Sequence, residues 1–128
     1  MLVDDDPSIR RIAQITLTSV GKFDVKVAKS GADALSMLQE ERPDVILMDV
    51  MMPEMDGPTT LAKLRALPNL HDLPVIFMTA RIQKHELERL EILGASGVIT
   101  KPFDPMSLCE QIQAIMDGIF FSRDRVTA

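Results

Sequence analysis

Two stretches of the chain, "DVILMD" at 44–49 and "PVIFMTA" at 74–80, are apolar on both of the faces a strand would present. Such a strand has to be covered above and below, as in the interior of a parallel sheet. Parallel neighbours cannot be joined by a tight hairpin; they need crossovers of a dozen or more residues, usually helical. The rest of the sequence supplies these crossovers. Asp6 stands as an N-cap before Pro7 at a first helical position, and Ile9, Ile12, Ala13, Leu17 and Val20 recur at helical spacing up to a stop at Gly21. Val25, Lys26 and Val27 alternate like a half-exposed strand, and Ser30 caps a helix carrying Ala34, Leu35 and Leu38 that ends before Pro43.

After Asp49 a loop punctuated by Pro and Gly, "VMMPEMDGP", leads into a helix with Leu61, Leu64 and Leu67 that stops at Pro68. Following the second apolar strand come a charged helix, "QKHELERLEILG", a short strand, "GVITKPF", and a last helix, "DPMSLCEQIQAIMDG", with Asp104 as cap and Pro105 at its first position. The first strand is the short run Met1 to Val3. Five β-then-α units predict an α/β fold: a five-stranded parallel sheet flanked by five helices, joined by right-handed crossovers. The doubly apolar strands 1, 3 and 4 belong inside and strands 2 and 5 at the edges, which is the flavodoxin-like, doubly wound order 2-1-3-4-5. Ligands of such sheets bind at the carboxyl ends of the strands, beside the switch between strands 1 and 3.

The residues at those ends are Asp4 and Asp5 on strand 1, Asp49 on strand 3, Thr79 on strand 4 and Lys101 on strand 5. A single Asp at a strand end is ordinarily a turn former or cap. Five such groups converging on one crevice ask for another account. Ionised carboxylates about 5 Å apart at an effective dielectric near 20 repel by about 3 kcal/mol, and Asp4, Asp5 and Asp49 together suit a hard divalent cation. Mg²⁺ is the natural one, being held by one or two carboxylates, waters and phosphate oxygens. Neither "DDDPS" nor "DVMMPEMDG" has the acid spacing of an EF-hand Ca²⁺ loop. Lys101 either pairs with the carboxylates or awaits an anionic ligand.

"LVDDDPSIRR", "PDVILMDVMMPEMDG", "PVIFMTA" and "GASGVITKPF", in this order and spacing, resemble the receiver domain of bacterial two-component response regulators. The resemblance runs from Leu2 to about Asp117. It implies a receiver at 1–117 with a tail or linker stub at 118–128, and a phosphoacceptor switch rather than an enzyme acting on other molecules. Carried over by position, it implies that Asp49 accepts the phosphoryl group and that Asp5, Asp49 and the Met51 carbonyl ligate Mg²⁺, with Asp4 acting through water. Thr79 would bond the phosphoryl oxygen, Lys101 would neutralise its charge, and the bond from Lys101 to Pro102 is commonly cis in this family. The implied partners are a sensor histidine kinase or histidine phosphotransfer protein and a downstream output domain or protein. The face of helix 4, strand 5 and helix 5 would carry the signal and could form a homodimer.

The sequence departs from the family pattern at Val98, where receivers often carry an aromatic that rotates inward with the threonine. Met51 and Arg81 hold positions that in this family flank the phosphate. Three residues before the acid pair are fewer than the roughly five of an ordinary strand, which suggests a trimmed or mis-set start. At the other end "GIFFSRDRVTA", with Phe120 and Phe121, reads as a frayed tail or the stub of a linker. Two other function classes remain as alternatives: a Mg²⁺-dependent phosphatase or phosphotransferase with Asp49 as nucleophile, or a binding module that is never phosphorylated. Haloacid dehalogenase relatives carry a second Asp two residues after the nucleophile, where this chain has Met51.

Composition narrows the setting. With 128 residues the chain suits one domain, and a net charge of −5 with no Trp or Tyr disfavours nucleic acid or anionic membrane as direct partners. Cys109 is the only cysteine, so there is no disulfide framework, in keeping with a reducing cytoplasm. It is expected as a packed thiol on helix 5, His71 and His85 as surface residues, and most of the nine methionines in the core.

Overall fold

A computed structural model describes residues 1–80 and 83–126, with side chains to residue 118. The elements are β1 (Leu2–Val3), α1 (Pro7–Ser19), β2 (Val27–Ala28), α2 (Gly31–Met37), β3 (Ile46–Asp49), α3 (Gly57–Arg65), β4 (Val75–Thr79), α4 (Lys84–Ile92), β5 (Gly97–Thr100) and α5 (Leu108–Val126). All strand pairs are parallel and the order is β2-β1-β3-β4-β5, as the apolar pattern required.

The double apolarity of the inner strands has its reason in two cores. Val3, Ile46, Met48, Val75 and Phe77 point to one face and pack with Ala34 of α2, Leu61 and Leu64 of α3 and Leu90 of α4. Leu2, Leu47, Ile76 and Met78 point to the other and pack with Ala13 and Leu17 of α1 and Leu108 and Ile112 of α5. Successive side chains of a strand alternate between faces, so each inner strand feeds both layers. Burying a side chain of this kind contributes roughly 1.5–3 kcal/mol.

Local signals set three of the helix starts. The Asp6 carboxylate accepts the N–H groups of Ser8 and Ile9, the Ser30 hydroxyl that of Asp33, and the Asp56 carboxylate that of Thr59. Elsewhere the structure corrects the sequence reading. On α1, Ala13 and Leu17 are buried as expected, but Ile12 and Val20 are about half exposed, and Thr16 is buried in their place with its hydroxyl bonded to the Ile12 carbonyl at 2.9 Å. The ladder of β2 takes in Val27 and Ala28 and not Val25. Asp104 caps a turn rather than the helix itself: its carboxylate accepts the Met106 N–H and its carbonyl accepts those of Ser107 and Leu108, where α5 begins. The helix runs on past Asp117 to Val126, through the stretch read as a tail or linker stub; the side chains of Phe120 and Phe121 lie outside the described residues, as does Arg81.

Candidate functional site

The site is built where the inner strands run out. Asp4 follows β1 and is wholly buried. Its N–H bonds the Ala28 carbonyl at 3.2 Å, and its Oδ1 accepts the Asp6 N–H at 2.9 Å. Asp49 is the last residue of β3 and is 6% exposed. After it the chain must turn back sharply. The Gly57 N–H donates to the Val50 carbonyl at 2.8 Å, and a Cβ on Gly57 would sit 2.5 Å from the Asp49 carbonyl oxygen, so only glycine permits this close return. The Met51 N–H donates to Asp49 Oδ1 at 3.4 Å while its side chain stands in solvent.

Lys101 reaches this pocket from β5. Its N–H donates to the Thr79 carbonyl at 2.8 Å, and the peptide bond to Pro102 is cis. Its Nζ lies 2.9 Å from Asp4 Oδ2 and 3.2 Å from Asp49 Oδ1, a bridge between residues 97 positions apart in the chain. Asp4, Asp5 and Asp49 each present a carboxylate oxygen, all within 4.8 Å of one another.

The electrostatics follow from this packing. Burial raises the Asp49 pKa and the neighbouring Asp4 charge raises it further, while Lys101 and the Met51 N–H pull it back; the balance leaves it above the ordinary carboxylate value. For Lys101 burial acts to lower the pKa, but the hydrogen bond and charge of Asp4, with those of Asp49, outweigh it and the result is a raised value. The ammonium is therefore held charged between two buried carboxylates. Three converging oxygens, one of them on the partly exposed Asp5, fit a hard cation such as Mg²⁺ in donor type and number.

The sequence-based site residues all come to this edge of the sheet. Asp4, Asp5, Asp49 and Lys101 form one cluster, with Met51 attached to it through its backbone. Thr79 ends β4 in register with Thr100; it is buried and lines a small cavity of about 30 Å³ together with Val98, Leu87 and Leu90. Arg10 was not singled out in the sequence. Its Nη1 donates to the Asp4 carbonyl at 2.9 Å from the second turn of α1, and the six-residue spacing between the acid and the arginine is the signal that could have found it. His71 and His85 are exposed and Cys109 packs among the apolar residues between α1 and α5, as expected.

The family model described as "Response regulator receiver domain" matches residues 1–113. The chain belongs to the response regulator receiver family. Among curated relatives, response regulator Rre1 of Synechocystis is 35% identical over 119 residues, which is 93% of this chain and 50% of that protein. The chain spans about half the length of this and most of the other curated relatives it matches. Among solved structures, the Vibrio cholerae chemotaxis protein CheY4 superposes with a TM-score of 0.84 at 32% identity, covering 89% of this chain and 94% of that one. The receiver domain of a sensor histidine kinase from Pseudomonas aeruginosa matches with a TM-score of 0.79 at 28% identity, covering 91% and 94%; a magnesium ion is coordinated in its active-site cleft. Receiver domains bind Mg²⁺ in that cleft and work with histidine kinases and output domains in two-component systems. In this receiver no helix among the described residues is long and apolar enough to cross a membrane.

Proposed function

We propose that this receiver is a phosphoacceptor switch, with Asp49 taking a phosphoryl group from the phosphohistidine of a sensor histidine kinase or a histidine phosphotransfer protein. The observation that carries the reading is the Lys101 ammonium bridging Asp4 and Asp49 beside three converging carboxylate oxygens. An ionised Asp49 oxygen attacks phosphorus, the P–N bond breaks, and its electron pair leaves with the imidazole. Phosphoryl transfer asks mainly for in-line positioning and for neutralisation of charge on the equatorial oxygens. Lys101, already charged and in the pocket, transfers its contact from the Asp49 carboxylate to the arriving oxygens. Asp5, Asp49 and the Met51 carbonyl would hold Mg²⁺, with Asp4 engaged through water. Bound there, the ion supplies charge neutralisation for both phosphorylation and hydrolysis.

Water later hydrolyses the acyl phosphate, so the receiver turns over only its own modification and is not an enzyme toward other substrates. Thr79 follows the phosphoryl oxygen, and the face made by α4, β5 and α5 passes the change to an output domain or protein, or to a second copy of the chain. The setting is cytoplasmic, and the domain itself touches neither nucleic acid nor membrane. The receiver proper is residues 1–117, and the stretch from 118 on serves as a tail or linker.

Incubation with Mg²⁺ and acetyl phosphate tests the proposal. A single base-labile phosphoryl adduct on Asp49, absent in Asp49→Asn and without EDTA-sensitive turnover of other esters, is the expected result. No adduct, or one that persists in Asp49→Asn, would sink the reading, and steady hydrolysis of assorted phosphate esters would favour a phosphatase instead.

A further inference from the structure

The turn from β1 into α1 is held by a ring of hydrogen bonds in which one residue takes part twice. The Arg10 N–H donates to the Asp6 carbonyl at 2.9 Å, the backbone bond that opens α1, and the Arg10 Nη1 donates to the Asp4 carbonyl at 2.9 Å. The Asp6 N–H in turn donates to Asp4 Oδ1 at 2.9 Å. Both peptide units that flank Asp5 are therefore tied down, the one before it by the guanidinium and the one after it by the Asp4 carboxylate. Each of these side-chain bonds has an ionised partner, and such bonds are about twice as strong as neutral ones.

Asp4 and Asp5 depend on this ring unequally. Asp4 is wholly buried and has further anchors, its N–H on the Ala28 carbonyl at 3.2 Å and its Oδ2 on the Lys101 Nζ at 2.9 Å. Asp5 is the solvent-facing member of the three carboxylates whose oxygens lie within 4.8 Å of one another. Among the described residues no donor bonds its carboxylate, so the backbone that carries Asp5 sets its aim. Coulomb repulsion alone would make a guanidinium beside a cation site weaken that site. Acting as a brace, it strengthens the site, so the two effects differ in sign.

We propose that Arg10 is a positioning residue of the metal site: its guanidinium fixes the Asp4–Asp5 peptide and so aims the Asp5 carboxylate at the divalent cation. That Mg²⁺ is the cation and Asp5 a direct ligand rests on the proposed function; the brace itself does not. Groups that orient metal ligands without touching the metal change affinity by about ten- to a hundredfold when removed. Arg11, next in sequence, is exposed and carries the same charge outside the ring, which makes it the control for charge.

Calorimetric titration of the whole metal-free chain with Mg²⁺ tests it. Arg10→Met is expected to bind roughly tenfold more weakly than the parent and Arg11→Met no more weakly. Arg10→Lys, which keeps the charge and a donor on a long stem but loses the planar fork, should fall in between. Binding by Arg10→Met as tight as in the parent, or tighter, would overturn the proposal: a merely structural arginine lowers the urea midpoint and leaves the affinity alone, and a mere charge raises the affinity on removal. Amide hydrogen exchange by NMR gives a second reading without metal. In Arg10→Met the Asp6 amide should exchange several times faster while Ala13 and Leu17 keep the parent rates, and an Asp6 amide that exchanges as before would equally overturn the brace. A parent that takes up no Mg²⁺ counts against the proposed function, and the Asp6 comparison still decides the brace. Should Arg10→Met fail to fold, Arg10→Lys carries both comparisons with smaller losses.

Discussion

At the carboxyl edge of the sheet one ammonium lies within 3.2 Å of two buried carboxylates, and each of the three groups comes from a different strand end. On α4, a few residues away across Thr79, nine residues contribute a single buried side chain, and the first turn has no capping bond. The first region is held by long-range electrostatics in a largely buried setting, where removal of one member leaves the others uncompensated. The second is closed at its C-terminal end by the Gly94 and Ala95 N–H groups, which donate to the Glu91 and Leu90 carbonyls, and by the Arg65 guanidinium, which donates to the Gly94 carbonyl. A site that must position a phosphoryl group gains from the first arrangement. The second has a single buried side chain, and segments with few buried contacts open at lower free energy than a packed core.

The largest break in this contrast should come from Lys101→Met. It leaves Asp4 and Asp49 buried without their cation and should lower stability by about 3 kcal/mol, read as a lower urea midpoint at pH 7, with Mg²⁺ restoring part of the loss. Because the folded-state pKa of Lys101 is raised, its contribution is fully present at neutral pH and fades only as pH climbs past the ordinary lysine value.

Asp49→Asn should act in the opposite direction. With the carboxyl pKa raised in the folded state, the folded chain binds the proton more tightly than the unfolded one, and stability falls as pH rises from the ordinary carboxylate value through the raised one. The ionised form is a burden at pH 7, so the amide should raise the urea midpoint there, and the gain should shrink to nothing in acid. A midpoint that fails to rise at pH 7 would show that Lys101 fully offsets the burial.

Smaller still is the effect of giving α4 the cap it lacks. Gln83→Ser, three residues before Glu86, completes a capping box and should add about 0.5–1 kcal/mol, with slower amide hydrogen exchange at the start of α4. Ile92→Ser, at a position 85% exposed, should stay within about 0.5 kcal/mol of the parent and leave the exchange pattern as it was.

Much of this molecule can be read from the chain. The strand order follows from "DVILMD" and "PVIFMTA" being apolar on both faces, and Asp6 and Ser30 start their helices with side-chain oxygens three or fewer residues from the N–H groups they accept. These are short-range signals, and short-range geometry carries them out. Helical period alone could not say that Thr16 would be buried while Ile12 faces out, because it defines a stripe without saying which flank a second helix will cover. Thr16 can be buried because its hydroxyl is satisfied by the Ile12 carbonyl one turn back. Asp104 looked like a helix cap and caps a turn instead, since its carbonyl and carboxylate both find partners before α5 begins.

The sequence by itself determined the βα alternation, which strands lie inside, and which five polar groups sit at the strand ends, because all three depend on residue type at periodic or terminal positions. Only the tertiary structure decided that Lys101 bridges Asp4 and Asp49, that the Asp49 pKa is raised, that Arg10 donates to the Asp4 carbonyl and that Arg65 donates to the Gly94 carbonyl. The physical reason is range. Propensity and capping act over about one helical turn, whereas burial and Coulomb interaction depend on which distant segments the packed core brings within a few ångströms.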